Sequence, residues 1–269
     1  MLPEQPVGVF DSGVGGLTIA REIVRQLPAE TILYYGDTAH VPYGSKRVDE
    51  LIRYADAIVA YLVEQGVKAI VDACNTTSAV ALNYLQSKYS VPIIGVIEPG
   101  VRDALAVTRN GRIGVLATEA TIASGLHARL LQSLEPRLKV YPQACPRLVP
   151  LVEAGIVDGP EALQAVTEYV EPLVKEGIDT LLLGCTHYPF LAPVIQEVAG
   201  EGVTLVDPAA STVRQLGDLL KGHGGLRHVH GSRAHTFLVS GSAGGFRRVA
   251  QKLLGWPELM ATRRVKLLD

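Results

Sequence analysis

Ala73-Cys74-Asn75-Thr76 and Gly184-Cys185-Thr186-His187 decide the fold, because each closes a short apolar run and each sets a cysteine at the same place in it. Around them the chain repeats itself. Val7-Gly8-Val9-Phe10 opens one unit and Ile113-Gly114-Val115-Leu116 opens a second, 106 positions later. The two cysteines lie 111 positions apart, and Glu98-Pro99 and Asp207-Pro208, which close the units, lie 109 apart. Three landmarks at a nearly constant offset mark an internal duplication. They divide the chain into residues 1–98 together with 209–269, and residues 99–208. The tail from Ala209 onward is expected to add a strand and a helix to the first of these.

Between the landmarks, short apolar runs alternate with amphipathic stretches. Residues 7–10, 31–36, 69–73, 93–97, 113–116, 139–143, 180–184, 203–206 and 236–240 read as buried strands. Val48, Leu51, Ile52, Ala55, Ile58, Val59 and Leu62 recur at helical spacing. This alternation predicts the α/β class, with two pseudo-symmetric α/β/α domains, each a mostly parallel sheet covered by helices on both faces. The active site is expected in the cleft between them.

Apolar residues make up 48% of the 269 and charged residues 19%, enough to bury a large core. The net charge of −2 argues against nucleic acid as a partner, since phosphate binding needs a basic face. Arg263-Arg264-Val265-Lys266 is too short to change this and reads as a solvated tail. No apolar stretch reaches the roughly 18 residues of a membrane span, and the first residues show neither a basic nor an apolar signal segment. Three cysteines do not build a disulfide scaffold, so reduced thiols and a cytoplasmic location are expected.

Ligands of open α/β sheets bind at the carboxyl ends of the strands. Four polar clusters fall there: Asp11-Ser12-Gly13, residues 37–45, Cys74-Asn75-Thr76-Thr77 and Cys185-Thr186-His187. A cysteine at the same point of both halves lets two thiols approach one atom from opposite faces. Inversion of a stereocentre by proton transfer needs this pair, a base on one face and an acid on the other. In a reactive pose each sulfur would lie about 3–3.5 Å from the α-carbon, which sets the sulfurs about 6–8 Å apart. A helix start after each cysteine is expected to favour the thiolate. The same N–H groups, with Ser12, Asn75, Thr76 and Thr186, can hold carboxylates without an arginine and stabilise developing charge. His187, a titratable imidazole beside Cys185, fits proton shuttling. Asp11 alone reads as a turn-capping residue, and Cys145, outside the repeat, as a structural thiol.

Gly13-Val14-Gly15-Gly16-Leu17-Thr18 has the outline of a dinucleotide loop, with Asp37 placed as a ribose acid. Thr18 replaces the third glycine, however, and no nucleotide cofactor is expected. His223, His228, His230 and His235 lack a compact ligand spacing, so no metal is expected either.

Together these segments resemble the glutamate racemases of the aspartate/glutamate racemase superfamily. The resemblance rests on residues 9–18, on Tyr35-Gly36-Asp37-Thr38-Ala39, and on Val41-Pro42-Tyr43-Gly44-Ser45-Lys46. It rests further on Ala73-Cys74-Asn75-Thr76, on residues 148–155, and on Leu183-Gly184-Cys185-Thr186-His187-Tyr188-Pro189. It implies a cofactor-independent isomerase that interconverts L- and D-glutamate and supplies D-glutamate for peptidoglycan, hence for cell-wall biogenesis and cell shape. It also implies a homodimer. By motif, Cys74 and Cys185 are the acid/base pair, with Cys185 serving L-glutamate and Cys74 serving D-glutamate. Asp11, Glu153 and His187 are accessory proton-handling or orienting groups. Asp11, Ser12, Tyr43, Gly44, Asn75, Thr76, Thr118, Thr121, Thr186 and His187 are substrate contacts. Two positions depart from the pattern: Ala117-Thr118 stands for the usual Gly-Thr, and His40 for an arginine. The N-terminal extension of members activated by a cell-wall precursor is missing, so no such dependence is expected. The same thiol chemistry would serve aspartate, a hydantoin or maleate. A non-catalytic amino-acid binder is the remaining alternative, and two acid/base thiols argue against it.

Overall fold

The computed structural model describes residues 1–228, 235–256, 259 and 261–268. The first half runs β1 (Val7–Asp11), α1 (Leu17–Gln26), β2 (Ile32–Gly36), α2 (Val48–Glu64), β3 (Ala69–Asp72), α3 (Asn75–Val80), α4 (Leu82–Lys88), β4 (Ile93–Gly95) and α5 (Ile97–Val107). The second runs β5 (Arg112–Ala117), α6 (Glu119–Ser124), α7 (Leu126–Leu134), β6 (Lys139–Ala144), α8 (Leu148–Glu153), α9 (Gly159–Lys175), β7 (Thr180–Gly184), a 3-10 turn (Tyr188–Leu191), α10 (Ala192–Ala199) and β8 (Thr204–Val206). The chain ends with α11 (Ala209–Gly222), β9 (Thr236–Val239), α12 (Ala243–Leu254) and β10 (Arg263–Arg264).

Two parallel sheets result, ordered β10-β9-β2-β1-β3-β4 and β6-β5-β7-β8. The order β2-β1-β3-β4 recurs as β6-β5-β7-β8, so the duplication read in the sequence is also a duplication of topology. Every residue of β1, β2, β3 and β7 is buried, which is why these strands are apolar runs rather than alternating ones. In α2 the buried residues are Leu51, Tyr54, Ala55, Ile58, Val59 and Leu62, at steps of three and one that keep one face on the sheet. In each half the chain turns to opposite sides of β1 or β5, and the carboxyl ends of those strands and of β3 and β7 form the crevice. One apolar cluster runs through both halves, from Val7, Val9 and Val14 to Leu116, Cys145, Leu148 and Cys185. Among the described residues no helix is long and apolar enough to cross a membrane.

Three expectations change. The strand expected over 93–97 stops at Gly95, because Ile97 opens α5. Glu98 and Pro99 fall in that helix's first turn, where an acid meets the dipole and proline forfeits no hydrogen bond. The tail adds two helices and two strands rather than one of each. Residues 263–266 are not a solvated tail: β10 pairs with β9, Val265 N–H donates to Val239 O at 2.9 Å, and Tyr35 donates to Val265 O at 2.9 Å. Val265 and Leu267, two apart, pack against the apolar cluster that contains Phe10, Leu33 and Tyr35. The exposed arginines sit on the outer edge, where charge blocks further pairing.

Candidate active site

Cys74 leaves β3 and is the N-cap residue of α3; Cys185 leaves β7 just before the 3-10 turn. Both are unbonded thiols, 5% and 6% exposed. Each has a different electrostatic setting.

On the Cys185 side, His187 Nδ1 lies 3.7 Å from Cys185 Sγ and Nε2 lies 2.7 Å from Glu153 Oε1. That same Oε1 accepts Val14 N–H at 2.9 Å, so Glu153 joins the glycine loop of one half to the histidine of the other. Burial pulls the His187 imidazole down, but the hydrogen bonds to Cys185 and Glu153 outweigh it and hold the ring well above its ordinary value. The charged ring thus stands between a sulfur and a carboxylate. A group raised in this way adds stability that is full below about pH 6.5 and is lost as pH rises through the folded value. Glu153→Gln removes the counter-charge. Thermal unfolding should therefore show the parent's advantage over Glu153→Gln widest near pH 6 and closing at alkaline pH. A gap independent of pH would mean that Glu153 does not charge His187.

On the Cys74 side, burial pushes the thiol up, Asp11 pushes it further, and so does Asp72 when ionised. The expected thiolate-favouring helix start is thus outweighed at Cys74, where α3 is only six residues long. After Cys185 the chain enters a 3-10 turn, so His187 rather than an α-helix start stands beside its sulfur. Asp11 does cap its own turn, Oδ2 accepting Gly13 N–H at 2.9 Å. Its Oδ1 also accepts the Thr186 hydroxyl at 3.0 Å from the other half.

Threonines named from sequence in the two halves meet one another. Thr76 Oγ1 lies 2.9 Å from Thr118 Oγ1 and 3.2 Å from Thr121 Oγ1. Gly44 O accepts Ala120 N–H at 3.0 Å, and a Cβ at Gly44 would stand 2.8 Å from Thr118 Cβ. Tyr43 packs beside Cys74, and Ser12 is buried between Asp11 and Gly13. Asn75 is 2% exposed, yet neither its Oδ1 nor its Nδ2 has a partner, so a complete amide is free to meet a ligand.

The glycine loop has a reason other than a nucleotide. A Cβ would fall 1.8 Å from Glu153 Oε1 at Gly13, 2.4 Å from His187 Nδ1 at Gly15 and 2.5 Å from Asp11 Cβ at Gly16. At Gly13 and Gly15 the halves meet backbone to side chain, and glycine leaves the room for that contact. Sequence reasoning missed the supports of this arrangement. Tyr34 donates to Gly13 O at 2.7 Å. Asp37 takes the Tyr43 hydroxyl at 2.5 Å, the Ser240 hydroxyl at 2.6 Å and His40 Nδ1 at 2.8 Å. Asp37 stood in a polar cluster at a strand end and could have been found; Ser240, from the tail, carried no signal. Cys145 is buried, its thiol 3.4 Å from Gln143 O. Of the four tail histidines, His223 Nδ1 lies 2.9 Å from Leu219 O and His235 Nδ1 accepts Ile32 N–H at 3.3 Å. His228 is exposed, and His230 lies outside the described residues.

The family model for Asp/Glu/Hydantoin racemase matches residues 7–216. The chain belongs to that family. It is an isomerase of the racemase type. A glutamate racemase of Desulforudis audaxviator is 52% identical over 255 residues, covering 93% of each chain. A glutamate racemase isoform of Bacillus anthracis superposes with a TM-score of 0.92 at 41% identity, over 99% of this chain and 98% of that one. The glutamate racemase of Francisella tularensis, solved with D-glutamate, superposes at 0.89 with 33% identity, over 100% and 98% of the two chains.

Proposed function

We propose that the protein interconverts L- and D-glutamate by transferring the α-proton between two thiols, without a cofactor. The observation that carries this is the cysteine pair, one leaving β3 and one leaving β7, both buried and each with contrasting partners. Cys185, beside the His187 imidazolium, is the base for L-glutamate. Cys74, whose thiol burial keeps protonated, returns a proton to the opposite face. In the D-to-L direction the roles exchange. The free amide of Asn75, with the hydroxyls of Ser12, Thr76, Thr118, Thr121 and Thr186, receives the carboxylates. Those donors also offset charge that develops as the proton leaves. The glutamate racemase bound to D-glutamate, which matches over the whole chain, supports this substrate.

The same reading divides the chain into two units, residues 1–98 with 209–269 and residues 99–208, supported by the sheet to which each strand belongs, with α5 crossing from one to the other. By family resemblance the product serves peptidoglycan synthesis in the cytoplasm. Circular dichroism should show both L- and D-glutamate losing optical activity without pyridoxal phosphate, metal or nucleotide. Activity on aspartate but not glutamate would move the substrate to the other branch of the family. Loss on dialysis against chelator, restored by metal, would overturn the cofactor-free mechanism.

A further inference from the structure

Two residues before Cys74, inside the apolar run of β3, stands a carboxyl group that the reaction does not use. Asp72 is 0% exposed, and its Oδ2 has no hydrogen-bond partner. Its Oδ1 lies 2.5 Å from Thr77 Oγ1, and that oxygen lies 3.2 Å from Cys74 O. Thr77 has one hydroxyl proton. Were Asp72 a carboxylate, that proton would face two acceptors and satisfy one of them. With a proton on Asp72 both contacts become hydrogen bonds: the carboxyl O–H donates to Thr77, and Thr77 donates to the Cys74 carbonyl. The unpartnered Oδ2 is then a neutral carbonyl oxygen, which costs less to bury than a charged one.

Resting on the two-thiol reading, we propose that Asp72 is a positioning residue held as the neutral acid, fixing the Cys74 turn through Thr77 while keeping a further negative charge away from the Cys74 thiolate. Cys74 already faces Asp11 from β1 and Cys185 from the end of β7. Asp72 faces Asp11 as well, with the Thr77 and Ser78 hydroxyls of α3 on its other side. Burial pushes the Asp72 carboxyl up to about 8 against the pull of those hydroxyls and of the Cys74 backbone N–H. An unfolded aspartate titrates near 3.9. The folded chain therefore holds a proton that the unfolded chain releases, and stability falls as pH climbs from about 4 to about 8.

The test compares the full-length parent with Asp72→Asn, whose amide can donate to Thr77 and never ionises. In thermal unfolding the two should agree near pH 4, and Asp72→Asn should melt about 5 °C or more above the parent at pH 8. Iodoacetamide labelling of Cys74, read on its peptide by mass spectrometry, should be equal near pH 6.5. At pH 9 it should be about tenfold faster in Asp72→Asn. Asp72→Ala removes the donor to Thr77, and its kcat should drop about tenfold at little changed KM, with Asp72→Asn recovering it. Unfolding and labelling profiles that superimpose at every pH, or an Asp72→Asn variant less stable than the parent at pH 8, would overturn the proposal. If Asp72→Ala does not fold, the Asp72→Asn profiles still decide. A parent that fails to racemise glutamate would sink the two-thiol reading instead, and the unfolding and labelling arms would remain readable.

Discussion

Racemisation of glutamate falls by about 10³-fold or more in Cys74→Ala and equally in Cys185→Ala, because every turnover needs a proton carrier on each face. The double variant should be little worse than either single one, since groups that act as a unit do not contribute additively. A half-reaction survives. With a glutamate analogue carrying a leaving group on the β-carbon, one thiolate suffices to take the α-proton and expel that group. Cys74→Ala should process only the L-analogue and Cys185→Ala only the D-analogue. The pseudo-twofold of the sheets leaves the handedness open, but the partners of the thiols do not make them equivalent. Cys185 has the His187–Glu153 pair behind it, 3.7 Å and then 2.7 Å away, while Cys74 has carboxyl groups. Because burial and those carboxyl groups push the Cys74 thiol up, elimination by Cys74 in Cys185→Ala should climb steadily as pH rises. Reversed enantiomer preferences would invert the assignment and keep the mechanism. Near-normal racemisation in both variants would end it.

The parts of this site that sequence made legible are those with a local signature. Cys74 and Cys185 announced themselves by repetition, and the clusters after the first, third and seventh strands by polar residues where apolar runs stop. The supports were hidden because they act across distance or within a face. Ser240 reaches Asp37 from 203 positions away, and nothing near it in the sequence marks it. Asp72 sat inside a run read as a buried strand, where one carboxyl among Ala69, Ile70, Val71 and Ala73 left the pattern intact. The edge strand β10 was obscured for the opposite reason: two arginines suggest solvent, whereas the pairing rests on their backbone and on Val265 and Leu267 beyond. The thiolate argument looked to helix starts, which are visible in sequence, whereas burial outweighs the helix start at Cys74 and the Glu153–His187 contact beside Cys185 has no local signature.

That contact also accounts for the glycine at position 13, and a single methyl group tests it. In Gly13→Ala the new Cβ stands 1.8 Å from Glu153 Oε1 and 2.8 Å from Cδ. Gly13 has no positive φ, so the backbone accepts alanine without strain and the conflict is one of space alone. What must yield is the end of a flexible side chain, so the fold should survive with a melting temperature within a few degrees of the parent. A displaced carboxylate, however, gives up both Val14 N–H and His187 Nε2, held now at 2.9 Å and 2.7 Å. The imidazole loses its counter-charge, and the closing contact between the halves goes with it. Misplacement on this scale costs about 10² in kcat for L-glutamate, far more than the loss of stability would suggest. Gly217→Ala is the control: its nearest neighbour is Leu27 Cδ2 at 3.4 Å, inside α11, and alanine there should leave the rate unchanged while adding up to about 1 kcal/mol of helix stability. If Gly13→Ala instead turned over like the parent, the Glu153 carboxylate would have no part in holding His187 for catalysis.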